Sequence, residues 1–296
     1  MSTFKFSEDI EKVLSEAMDN YEQAKEFINE CKYNEAITLL KTTLKDVKKI
    51  RPLENTEYFS FDELFQFDMY ISFYAKSKDT KGKHRKKTNR MTNIQWCTAP
   101  IDKMYLHLGY TLVETGALDQ ALNTLRSGLK WNPCSVDLRF EAINILKTTG
   151  GLDKALDALL DIHKYIYRPE DLARFYRDLS YIFIENTKWK EAIASLFLSA
   201  NFTDDEKDLQ RVENELGYIE STSGTEITYP SDDEILKVMQ EHKIPIGIND
   251  KLLDLAQYRF EQSLESNNKE WIKYYQEIYY NFVVDTNEGD DKNFGK

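Results

Sequence analysis

Cysteine, glycine and proline are all scarce in this chain, and each scarcity excludes something. The three cysteines among 296 residues, Cys31, Cys97 and Cys134, are odd in number and far apart. They supply neither a disulfide framework nor metal-ligand spacing. A reducing, cytoplasmic setting is therefore expected. Only 11 glycines and 6 prolines occur, too few for a chain built from many tight turns, so an all-helical protein is expected. No uninterrupted apolar run approaches the ~18–20 residues of a membrane span. The first twenty residues carry charges through their apolar positions, so no signal-peptide core is expected there.

Chemistry-bearing motifs are missing too. The chain contains no G-x-x-x-x-G-K-[ST], no G-x-G-x-x-G after a strand and no H-E-x-x-H. The four histidines, His84, His107, His163 and His242, are scattered. Acid pairs such as Asp204/Asp205 and Asp232/Asp233 stand at expected helix starts, where carboxylates meet the positive end of the helix dipole. No catalytic residue, metal or cofactor is expected, and the protein reads as a non-enzyme.

What is present is a pattern. In residues 105–133, apolar and small residues recur at helical spacing: Tyr105, Leu108, Gly109 and Leu112, then Leu118, Ala121, Leu122, Leu125 and Gly128. Gly116 separates the two runs and Asn132-Pro133 stops the second. The pattern returns in phase. Ala36, Ala121, Ala155 and Ala192 each follow a large apolar residue three positions earlier: Tyr33, Leu118, Leu152 and Trp189. Each precedes a leucine four positions later: Leu40, Leu125, Leu159 and Leu196.

This resembles the tetratricopeptide repeat, a helix–turn–helix unit of about 34 residues with a W-x2-L-G-x2-Y, then A, F and P signature. Tyr105, Leu108-Gly109, Leu112, Ala121, Leu125 and Pro133 occupy those places. The resemblance implies an all-α fold, a right-handed α-solenoid of helical hairpins. It also implies that first helices line a concave groove for a peptide or partner helix. Carried over, the groove-lining set is Lys103, Leu106 and Tyr110, then Phe140, Asn144 and Lys147, then Arg174, Arg177 and Tyr181. The cations would pair with carboxylates of a partner and the apolar groups with its side chains. A groove filled by the protein's own inserted helix or tail is the alternative. The lysine and asparagine of chaperone-tail clamps are replaced by Leu106 and Tyr110, so that specialisation is not expected.

The organisation expected along the chain follows. Residues 1–52 hold an N-terminal helix, opened by Ser7, and a first hairpin ending at Arg51-Pro52. Residues 53–100 are an insertion. In it, Ser60 and Glu63 make a capping box for a helix over 61–75, packed against the first hairpin. That aromatic helix either fills a repeat-sized slot or forms a ligand-binding box. Trp96 is a packing anchor and Cys97 an inert small residue. Residues 102–202 are three consecutive repeats, 203–220 a capping helix opened by a Thr203/Glu206 box, and 221–230 a linker. Residues 231–285 are C-terminal helices opened by Ser231/Glu234 and Asn249, read as a divergent repeat without the alanine and proline marks, and 286–296 a polar tail.

Charge is uneven. The chain carries −12 overall, but residues 76–90 hold eight basic side chains and one acid, leaving the rest near −19. This segment, with Lys81, Lys83, Arg85, Lys86, Lys87 and Arg90, has three readings: contact with phosphates of nucleic acid or lipid, contact with an acidic protein surface, or a solvated loop. The function expected is a non-catalytic scaffold that binds a protein or peptide with acidic and apolar residues. The alternative is a regulatory protein that contacts nucleic acid or another polyanion through the basic segment.

Overall fold

The computed structural model describes residues 8–50, 56–75, 93–97, 99–224 and 226–281. Ser7, the Arg51-Pro52 stop, the 286–296 tail and the basic segment with Lys81, Lys83, Arg85, Lys86, Lys87 and Arg90 lie outside them. The described chain is a helical-repeat-like all-α fold with thirteen α-helices and one short strand pair. It divides into two compact units, Met1–Thr148 and Thr149–Lys296. The division falls inside the expected second repeat.

In the first unit, α1 (Glu8–Asn29) pairs with α2 (Tyr33–Val47), and α4 (Ile101–Glu114) pairs with α5 (Leu118–Gly128). α6 (Val136–Thr148) packs on both α4 and α5. The N-terminal helix and the first helix of the first hairpin, expected as separate elements, are one continuous helix. Leu14, Ala17, Tyr21 and Ala24 share its buried face, so one apolar stripe runs through both segments and nothing breaks it.

The second unit contains α7 (Leu152–Ile162), the hairpin of α8 (Pro169–Glu185) and α9 (Trp189–Asn201), and α10 (Glu206–Ser223). α11 (Asp232–Glu241), α12 (Asp250–Ser266) and α13 (Lys269–Tyr280) follow. The turn after α11 is tied down by side chains of the unit's interior. Tyr176 donates to the Pro245 carbonyl at 3.1 Å and accepts from the Gly247 N–H at 2.9 Å. His163 Nε2 lies 2.7 Å from the Gly247 carbonyl, which only accepts, so Nε2 carries the proton.

The repeat phase has a plain structural meaning. Tyr33, Leu118, Leu152 and Trp189 are each the first residue of a second helix. The four alanines and the four leucines that follow them are all 0% exposed. Two residues before each such helix the backbone turns left-handed: Cys31 has φ 57, Gly116 φ 76, Gly150 φ 75 and Thr187 φ 55. In three of these turns the next N–H reaches back to close the helix end. Lys32 N bonds Phe27 O at 2.8 Å, Ala117 N bonds Leu112 O at 2.8 Å and Lys188 N bonds Phe183 O at 2.9 Å. The small residues act as expected at the helix contacts. A Cβ on Gly109 would sit 2.6 Å from Leu125 Cδ2, and one on Gly128 would sit 2.8 Å from Tyr105 Cβ.

Helix starts follow the sequence in part. The Ser231/Glu234 capping box forms, and Asn249 caps α12. The Thr203/Glu206 box does not. α10 begins at Glu206 with Asp205 as its cap, accepting from the N–H groups of Lys207 and Asp208. α10 also runs on to Ser223, into the expected linker, where Gly224 (φ 67) ends it.

Two substitutions test this packing. Gly128→Ala is expected to lower stability by about 1–3 kcal/mol, because Tyr105 Cβ cannot swing away from the added methyl. Thr187→Gly is expected to raise it by up to about 1 kcal/mol, since a β-branched residue is held left-handed there. Urea unfolding midpoints of the two variants against the parent chain should move in opposite directions.

Candidate recognition surface

The insertion departs most from expectation. It contains a parallel strand pair, β1 (Thr56–Phe59) and β2 (Asn93–Trp96), with Phe59 opposite Trp96. The helix α3 begins late, at Leu64, and after Met69 it continues as a wider π-type turn over Tyr70–Tyr74. Ser60 does not cap it. The Ser60 hydroxyl instead accepts from the Ile101 N–H at 2.9 Å at the start of α4, and lies 2.9 Å from both the Ala99 carbonyl and Asp102 Oδ1. Its own N–H donates to the Trp131 carbonyl at 2.9 Å. These anchoring bonds reach α4 and the α5–α6 turn, not the first hairpin.

Around Ser60 lies a polar clasp. Asp102 is 1% exposed, and its Oδ2 accepts from Asn132 Nδ2 at 2.8 Å. The same amide donates to Gln66 Oε1 at 2.8 Å, which also accepts from the Asp62 N–H at 3.0 Å. Lys103 closes the clasp from the rim, 3.2 Å from Asp62 Oδ2 and 2.6 Å from Asp137 Oδ2. Asp62 as a residue is exposed through its backbone, yet its side chain is only 18% exposed. Burial is the main reason its carboxyl is pushed up to about 7. The adjacent Asp102 carboxyl adds to the rise, and Lys103 opposes it. For Lys103, burial favours the neutral amine, but Asp62 and Asp137 outweigh it and hold the ammonium above the ordinary lysine range.

The groove set expected from the sequence is redistributed by these contacts. Lys103 is committed to the clasp. Phe140 is 0% exposed and has no surface to offer. Arg177, with 13% of its side chain exposed, sits 3.2 Å from Asp208 Oδ2 and bonds the Ser199 hydroxyl at 3.4 Å. Leu106 packs against the first unit's core, and Asn144, Lys147 and Arg174 are half-buried. Tyr110 and Tyr181 remain open, each 37% exposed, at the same place in α4 and α8. Tyr33 braces Tyr110 edge-on, with ring centroids 6.2 Å apart.

The insertion's aromatic residues pack mainly on one another. Phe59 and Tyr70 lie 4.4 Å apart, Phe61 meets Trp96 edge-on at 5.9 Å, and Phe67 stacks on Trp96 at 6.1 Å. Trp96 is the expected packing anchor. Cys97 is buried, and burial pushes its thiol up to about 12, as it does for Cys134. Burial of this kind disfavours the thiolate form of both. His107 stacks on Tyr21 at 5.4 Å, and burial together with nearby lysines keeps its ring below the ordinary histidine value.

Comparison with protein-family models and with curated proteins finds no match for the chain.

The clasp makes stability depend on pH. Asp62 keeps its proton to about pH 7 in the folded chain, while unfolded it releases it near 3.8. Its contribution is therefore complete below the unfolded value and lost as pH rises through about 7. Asp62→Asn is expected to melt increasingly above the parent as pH goes from 4 to 8. A difference in melting midpoint that does not change with pH would contradict this origin.

Proposed function

We propose that the protein is a non-catalytic, cytoplasmic interaction scaffold, a right-handed solenoid of tetratricopeptide-like hairpins that holds a peptide or partner helix on its first helices. The observation that carries this reading is an exposed tyrosine on a first helix in each unit, Tyr110 in one and Tyr181 in the other. Equivalent positions of two hairpins each present a large aromatic to solvent, although both helices bury most of their apolar residues. Tyrosine at such a place favours binding, because it brings area and a hydroxyl at little cost in side-chain entropy. Lys103 and Arg177 already have carboxylate partners, so partner recognition rests on aromatic and apolar contact more than on charge.

A second reading, contact with a polyanion through residues 76–90, is supported by the concentration of positive charge there in a chain of net −12.

Photo-crosslinking residues at positions 110 and 181 test the first reading, each within its own unit. Each is expected to trap a protein partner, and Tyr110→Ala or Tyr181→Ala should weaken binding of the purified partner trapped at that position at least tenfold. Unchanged affinity in the matching variant would contradict it.

A further inference from the structure

Away from those tyrosines, α2 and α5 flank a pocket of about 320 Å³ that is also lined by Leu44 of α2 and by Tyr105 and Leu108 of α4. Lys41, Lys45 and Lys48 stand on one wall, and Asn123, Thr124 and Ser127 on the other. Among the described residues lining it, none is acidic. We propose that this pocket binds a small anion carrying two or three phosphate groups.

Spacing and charge both favour such a ligand. The three lysines follow one another at i, i+4 and i+7, a single stripe about 10 Å long on the helix. Like charges at that spacing repel one another and weaken a helix. α2 nevertheless keeps all three beside a concavity. The neighbouring Lys49 shows the contrast, since it is paired with Asp46 at 2.6 Å. Lys41 reaches across to Gln120 Oε1 on α5 at 3.2 Å, so its ammonium spans the gap between the walls. Lys48 leans inward, 5.9 Å from the centre of the Tyr105 ring.

Ammonium groups act as point charges that suit phosphate oxygens, whereas planar carboxylates are better served by the arginine fork, and no arginine lines this pocket among the described residues. The amide of Asn123 and the hydroxyl of Thr124 supply neutral donors on the opposite wall. The pocket lies toward the C-terminal halves of α2 and α5, whose dipoles disfavour an anion. Three full charges outweigh end charges of about one half each. The volume falls at the small-ligand end of binding pockets, which favours a compact anion over a nucleic-acid strand.

Calorimetric titration of the full chain with inorganic tripolyphosphate tests the proposal. Saturable binding at one site is expected, weaker at 200 mM than at 50 mM salt. Lys45→Gln with Lys48→Gln should weaken it at least tenfold without lowering the thermal melt, because both side chains are exposed and their mutual repulsion is relieved. Replacing Lys83, Lys86 and Lys87 by Gln should leave it unchanged. Three results would overturn the proposal: no binding at 50 mM salt, loss of binding only in the second variant, or equally tight binding of a hexaglutamate peptide to the same lysines.

Discussion

The first unit depends on keeping one cation among three carboxyl groups. Lys103 bridges Asp62 and Asp137, while Asp102 behind it is held by Ser60 and Asn132. Buried polar groups are costly unless partnered, and here each partner comes from a different part of the chain. The insertion supplies Ser60, Asp62 and Gln66. α4 supplies Asp102 and Lys103, and the next turn and helix supply Asn132 and Asp137. A polar cluster of this kind fixes position more than it adds stability. It seats the insertion at the start of α4, where the Ser60 hydroxyl serves as a helix cap contributed from outside the helix.

The hairpins depend on a different economy, that of close approach. Alanine and leucine at fixed places in α2, α5, α7 and α9 are fully buried, and a left-handed residue precedes each of these helices; at α2, α5 and α9 it turns the helix back along the one before it. Glycine meets that need at two of the turns, and Cys31 and Thr187 meet it at a cost. Gly109 and Gly128 serve another purpose: each lies where a neighbouring side chain fills the space a methyl would need. The clasp and the hairpins thus do separate work, one locating the insertion and the other setting helix spacing.

This division explains what was legible in the sequence. The alanine–leucine phase, the Gly116 turn and the Ser231/Glu234 box rest on residues near one another in the chain, so their spacing announces them. Ser60 was misleading because it has the right neighbour in Glu63 for a local cap, yet a better set of partners about forty residues away. Asp205 took the capping role from Thr203 by a shift of two residues, a distinction that spacing does not make. The strand pair joins residues separated by the whole basic segment, with no local signal. A resemblance in spacing alone puts Lys103, Phe140 and Arg177 on a surface, and burial and ion pairing, which are properties of each assembled unit, remove them from it.

Surface chemistry therefore shifts from cations at the expected groove toward exposed tyrosines, with a lysine-lined pocket elsewhere on the first unit. Lys103 serves the clasp, facing Asp62 and Asp137, rather than a partner. The decisive measurement is the thermal unfolding of Lys103→Met, alone and combined with Asp62→Asn and Asp137→Asn. At pH 8, where Asp62 has released its proton, the single variant is expected to lose roughly 1–3 kcal/mol, discounted for the partial exposure of the pair, because carboxylates are left without their cation. Neutralising the two aspartates should restore much of that loss. A single variant as stable as the parent, with partner binding abolished, would contradict it.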